Sequence, residues 1–113
     1  MYRKLGRDTQ VRRSILSGIT RDVITNGYCL TTNARAKECA KFVNKMITYG
    51  KSGTLISRRK ALAFFYNDAK VVDIIFNDLA KRFENRDGGY TRIIKVKERI
   101  GDDALMVRLE LVD

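Results

Sequence analysis

The stretch from Tyr90 to Val112 constrains this chain most. Its second half alternates strictly: Leu105, Val107, Leu109 and Leu111 fall on one side, Met106, Arg108 and Glu110 on the other. The first half sets Tyr90, Arg92, Ile94 and Val96 against Thr91, Ile93, Lys95 and Lys97. Between them, Arg99, Ile100, Gly101, Asp102 and Asp103 supply turn chemistry, because Gly tolerates positive φ and Asp bonds its own backbone. Two strands and a turn make a hairpin, and a lone hairpin is marginal in water. Its apolar face needs a cover, and what precedes it reads as mostly helical. The expected class is α+β: helices on one side of a small three-stranded sheet, in the order α-β-α-α-α-β-β.

The helical part follows from periodicity and punctuation. A first helix is expected from an N-cap at Asp8 or Thr9 to Asn26 and Gly27, with Val11, Ile15, Ile19 and Val23 as its apolar stripe and Leu16 and Ile24 beside it. Tyr28, Cys29, Leu30 and Thr31 are β-prone and read as a third strand joining the hairpin. Thr32 or Asn33 caps a second helix that buries Ala36, Ala40, Val43 and Ile47, with Cys39 and Met46 at their flanks. Thr54 caps a third, whose apolar residues are Leu55, Leu62, Phe65 and Tyr66. Asp68 caps a fourth, striped by Val72, Ile75, Phe76, Leu79 and Phe83 and stopped by Asp87, Gly88 and Gly89. One domain over 1–113 is expected, with residues 1–7 as a basic arm.

Charge is unevenly placed. Residues 1–60 hold 14 Lys and Arg against 3 Asp and Glu, whereas residues 61–113 hold 9 against 10. The net charge of +10 therefore sits on the first half. So one-sided a surface repels itself unless it meets a polyanion, and nucleic acid is the usual one. Candidate phosphate-binding residues are Arg3, Lys4 and Arg7 in the arm; Arg12 and Arg13, off the first helix's stripe; Lys37, Lys41 and Lys45, recurring every fourth residue; Lys51; and Arg58, Arg59 and Lys60. Like charges at that fourfold spacing repel, and a purely solvated face would more often alternate signs. Tyr2, Tyr28, Tyr49 and Tyr90 fall outside the apolar stripes, and one of them could stack on a base, although no motif of the sheet-aromatic RNA readers is present.

Several chemistries are excluded. Gly50, Lys51 and Ser52 resemble the end of a phosphate-binding loop, but position 45 is Lys where a Gly is needed, and a helix precedes them instead of a strand. Asp102 and Asp103, with Glu110, could be imagined as a metal-dependent nuclease site, but paired Asp in a turn serve the turn, and the chain has no His. Cys29 and Cys39 have no zinc or disulfide pattern, which suits a reducing compartment. No apolar run approaches the ~20 residues of a membrane helix, and no signal peptide or cofactor is expected.

Seven segments in register resemble one family: Tyr-Arg-Lys-Leu-Gly-Arg at 2–7, Thr-Thr-Asn-Ala-Arg-Ala-Lys-Glu at 31–38, Met-Ile-Thr-Tyr-Gly-Lys at 46–51, Ser-Arg-Arg-Lys-Ala at 57–61, Arg-Asp-Gly-Gly-Tyr-Thr-Arg-Ile at 86–93, Gly-Asp-Asp-Ala-Leu-Met at 101–106 and Glu-Leu-Val-Asp at 110–113. Together they resemble the bacterial large-subunit ribosomal protein family L-seventeen. The resemblance implies the same element order, binding to large-subunit ribosomal RNA, a place near the mouth of the nascent-chain tunnel among neighbouring ribosomal proteins, and no catalysis. It implies RNA contact for Arg3, Lys4, Arg7, Arg35, Lys37, Arg58, Arg59 and Arg92. Two departures stand out. Ser17 and Gly18 replace the arginine and Asn or Asp usual in the first helix, which puts one phosphate contact in question, and the segment around Tyr28, Cys29 and Leu30 lacks the usual arginine before its Thr-Thr.

The expected function is a structural, cytoplasmic constituent of the large ribosomal subunit that binds its RNA and supports assembly and translation. No membrane or small-molecule partner is expected. The alternative is a small basic DNA-binding or nucleoid-associated protein, which would need a recognition helix or a dimer seam.

Overall fold

The computed structural model describes residues 7–98 and 105–112. The arm at 1–6 and the hairpin turn at 99–103 lie outside them. Helix α1 (Arg7–Asn26) leads into strand β1 (Tyr28–Thr32), followed by α2 (Asn33–Ser52) and α3 (Leu55–Phe64). The fourth helix begins as α4 (Ala69–Asp73), widens into a π-helical segment (Ile74–Leu79) and closes with one α-turn (Ala80–Arg82). Strands β2 (Thr91–Glu98) and β3 (Leu105–Leu111) complete the expected order.

Local chemistry sets most boundaries. The side-chain oxygens of Thr32, Thr54 and Asp68 accept the N–H of Arg35, Ser57 and Val71, so each caps its helix as its residue type requires. Gly27, at φ +91, ends α1 and donates to the Val23 carbonyl at 2.8 Å. Helix α1 extends back to Arg7, so Asp8 and Thr9 are helical residues and not its cap. Between α3 and α4 the chain reverses through two left-handed residues, Tyr66 (φ 52) and Asn67 (φ 65).

The sheet runs β1-β3-β2, all antiparallel, so β1 joins the hairpin along β3. Val107, Leu109 and Leu111 are buried against the helices, as the alternation of β3 requires. The expected alternation of β2 holds from Thr91 to Lys95, and a register shift between Lys95 and Lys97 then ends it. On the outer face Glu110 is clamped by two guanidinium groups, Arg92 and Arg108, each at 2.6 Å. Arg108 also lies 4.0 Å from the Tyr28 ring centroid, so a cation and a carboxylate join all three strands.

Helix α2 is the centre of the helical layer. Ala36, Cys39, Val43, Met46 and Ile47 are buried along it, close to the expected row. Two other stripes fall differently. In α1 the buried residues are Leu16, Ser17, Thr20, Val23 and Ile24, while Val11 and Ile15 are exposed. Residues four apart advance 400° at 100° each, so a row of fours drifts about 40° per step, and Val11 ends about 120° away from Val23. In α3 the buried face is Ser57, Ala61 and Phe64; of the expected residues, Phe65 just past its end is buried, whereas Leu55 and Tyr66 are exposed. Small residues let α3 lie close to α2: the Ser57 hydroxyl donates to the Tyr49 carbonyl at 3.1 Å. Ser17, where the family resemblance calls for arginine, is buried and donates its hydroxyl to the Phe64 carbonyl at 2.9 Å, tying α1 to α3.

The tightest approach is between α2 and the π-helical segment. A Cβ at Gly50 would stand 2.8 Å from both the Ile75 carbonyl oxygen and its Cγ2. That carbonyl accepts the Ala80 N–H five residues on, so the widened turn lies at this contact.

Gly50→Ala should therefore destabilise by about 1–3 kcal/mol through forced separation of the helices. Gly18→Ala, on α1 with nothing within 4 Å of the added carbon, should stabilise by about 0.5–1 kcal/mol. Thermal unfolding of the two variants should shift in opposite directions.

Glu110 supplies a pH test. The Arg92 hydrogen bond holds its carboxyl below the ordinary glutamate value, against desolvation that raises it, with Arg108 adding to the depression. A carboxyl depressed in the folded state stabilises above its unfolded value of about 4.3 and loses that contribution as pH falls through the folded value. Glu110→Gln should lower the melting temperature at neutral pH, and the gap to wild type should close as the pH falls below the unfolded value and through the lower folded one.

Candidate nucleic-acid interface

Three helices carry the cations. Helix α1 presents Arg12 and Arg13, α2 presents Arg35, Lys37, Lys41 and Lys45, and α3 presents Arg58, Arg59 and Lys60. Since α2 buries Ala36, Cys39 and Val43, the helical period turns Lys37, Lys41 and Lys45 outward. Arg13, Arg35, Lys37, Lys41, Lys45, Arg59 and Lys60 are all exposed and make no ion pair among the described residues.

The other candidates have intramolecular partners. Arg12 pairs with Glu38, and Arg58 pairs with Asp73 while lying 5.2 Å from the Phe76 ring centroid. Both pairs are partly exposed, where such contacts contribute about 0.2–1 kcal/mol. Arg92 is held by Glu110 on the outer sheet face. Lys51 donates to the Arg86 carbonyl at 2.6 Å and to the Tyr90 hydroxyl at 2.9 Å, so its ammonium anchors the end of α2 to the chain entering β2. Arg3 and Lys4 lie outside the described residues, and Arg7 is the first residue of α1.

Where α1, α2 and α3 converge they leave a groove of about 400 Å³. Its floor is apolar: Leu16 from α1, Phe42 and Met46 from α2, Phe64 from α3. Phe42 and Phe64 stack with centroids 5.2 Å apart and planes 20° from parallel. The rim is basic, formed by Arg12, Arg13, Lys45 and Lys60, with Glu38 as its one acid. Tyr49 also lines it, with the Lys45 and Lys60 ammonium groups 6.0 and 5.9 Å from its ring centroid. Sequence reasoning missed Phe42. The usable signal was the spacing of Glu38, Phe42, Lys45 and Tyr49, which form a second face of α2 beside the buried row.

Among the described residues no group of three or more His, Cys, Asp or Glu could hold a metal ion, and no helix is long and apolar enough to cross a membrane. Burial pushes the Cys39 thiol up to about 11, with a Thr20 hydrogen bond working against it, so it stays protonated and packs as a small apolar group.

The model of one family, ribosomal protein L17, matches residues 15–112. The chain is 51% identical over 125 residues to the large ribosomal subunit protein bL17 of Ligilactobacillus salivarius (strain UCC118), covering 99% of this chain and 98% of that protein. It is 47% identical over 127 residues to the protein of that name from Leuconostoc citreum (strain KM20), with 99% and 98% covered. Against that from Lactococcus lactis subsp. cremoris (strain MG1363) it is 47% identical over 123 residues, with 97% and 98% covered. These alignments are longer than the 113 residues of this chain, so the relatives carry internal residues that it lacks. A family match over most of the chain and near-full-length identity of this degree agree: the chain belongs to the ribosomal protein L17 family.

Proposed function

We propose that this protein is an architectural constituent of the large ribosomal subunit that grips ribosomal RNA by its phosphates. The observation that carries the reading is the placement of charge. Seven of the candidate cations on α1, α2 and α3 are exposed and make no ion pair among the described residues, while most of the acids lie in the second half of the chain. Cations so arranged bridge RNA segments that would otherwise repel each other, and the release of condensed counterions drives the binding. Phosphate contacts of this kind position the protein without reading sequence. Arg3, Lys4 and Arg7, the cations of the expected basic arm, are further candidates for phosphate contact.

The outer face of the sheet suits protein neighbours, which the family resemblance puts near the mouth of the nascent-chain tunnel. Tyr28, Leu30, Ile94 and Val96 are exposed there or at its edge. The role is cytoplasmic and structural, with the folded scaffold supporting subunit assembly and translation; no residue acts as a catalyst.

Affinity for a large-subunit RNA fragment should fall steeply with salt. Six neutralised phosphates give a slope of about −5 for log affinity against log salt. A slope near zero would reject the phosphate mechanism. Charge reversal of Lys37, Lys41 and Arg59 together should weaken binding about a hundredfold, at about 1 kcal/mol or slightly less per contact. It should also release the protein from large subunits in sedimentation while leaving the melting temperature within a few degrees of wild type. Variants that unfold no earlier yet still sediment with the subunits would count against this surface.

A further inference from the structure

The groove between α1, α2 and α3 has a chemistry that phosphate contact does not use. Its floor is aromatic and aliphatic, and a hydrated phosphate gains nothing by resting there. Phe42 stacks on Phe64 by one face, but it is only partly buried and lines the groove, so part of its ring is open to a flat partner. Around it stand Arg13, Lys45 and Lys60, all exposed and free of ion pairs among the described residues. An occupant must therefore be flat and apolar on its face, with anionic groups a few ångströms away on both sides. An unstacked nucleotide meets both demands. Its base can lie on an aromatic side chain while the flanking phosphates reach cations at the rim. The volume of about 400 Å³ falls within the range of small-ligand sites, about 300–1,000 Å³.

We propose that this groove receives a single unpaired nucleotide of the RNA, its base against Phe42 beside Tyr49 and Phe64, and its phosphates on Arg13, Lys45 and Lys60. The proposal rests on the RNA-binding reading above and adds to it a base contact that tells bulged or looped RNA from continuous duplex. Stacking on an aromatic side chain tolerates any base, so the preference is for an unpaired position and not for a sequence.

The test uses the full chain and three RNA hairpins of equal length. One carries a single-nucleotide 2-aminopurine bulge, one an abasic residue at the same place, and one is fully paired. The bulged hairpin should bind about tenfold more tightly than the other two, with quenching of its 2-aminopurine fluorescence. Phe42→Leu should remove the preference and the quenching but keep the salt slope, and a matched melting temperature excludes unfolding as the cause. Lys60→Gln should weaken all three hairpins and keep the slope within one unit. Equal affinities for the three hairpins with a steep salt dependence overturn the base site and leave the electrostatic reading intact. Failure to bind any hairpin or the ribosomal RNA fragment takes down both. A bulge preference that appears only after deletion of residues 1–6 would mean the chain's own arm fills the groove, and this too overturns the proposal. So would an acidic peptide with a central phenylalanine that binds the groove while no bulge preference exists.

Discussion

Helix α2 can be buried along one face only because its neighbours come very close, and the rest of the molecule depends on that burial. Val43 and Ile47 are fully inaccessible, and Gly50 lies against the Ile75 backbone without room for a methyl group. The sheet covers one side of this helix, and α1, α3 and the fourth helix cover others. At 1.5 Å per residue, its 20 residues run about 30 Å through the domain. Each buried residue on such a rod obliges its neighbours in sequence to face elsewhere. Lys37, Lys41 and Lys45 are thus displayed by the same packing that forms the core.

The acids do not neutralise this display. Glu38 and Asp73 each hold one arginine, and Glu110 holds two at the outer sheet face. The carboxylates serve as local braces between elements: α1 to α2, α3 to α4, β2 to β3. Lys51 does similar work with the Arg86 carbonyl and the Tyr90 hydroxyl. Charges spent inside the fold and charges left for a partner are therefore separable by geometry, although they look alike in the sequence.

Ser17 shows how a residue away from the cationic surface shapes it. Its hydroxyl bonds the Phe64 carbonyl at the end of α3, and Phe64 is the ring on which Phe42 stacks. A long arginine side chain at this buried position could not make the same short link. The groove floor thus depends on a tie between α1 and α3 that involves no cation.

By itself the sequence determined the elements and their order, because these rest on short-range chemistry. Thr32, Thr54 and Asp68 cap their helices wherever the helices pack, Gly27 takes a positive φ that other residues resist, and strict alternation in β3 leaves one face to bury. It also determined that the first half must carry excess positive charge, which is arithmetic. Tertiary structure decided which apolar residues are covered. Val11, Ile15, Leu55 and Tyr66 look like core by type, but the crossings of α1 and α3 over α2 select Leu16, Thr20, Ser57 and Ala61 instead, since close approach favours small residues and a row of fours winds off the contact. The groove was decided there too. Leu16, Phe42 and Phe64 lie on three separate helices, and only the angles between those helices give them a common surface.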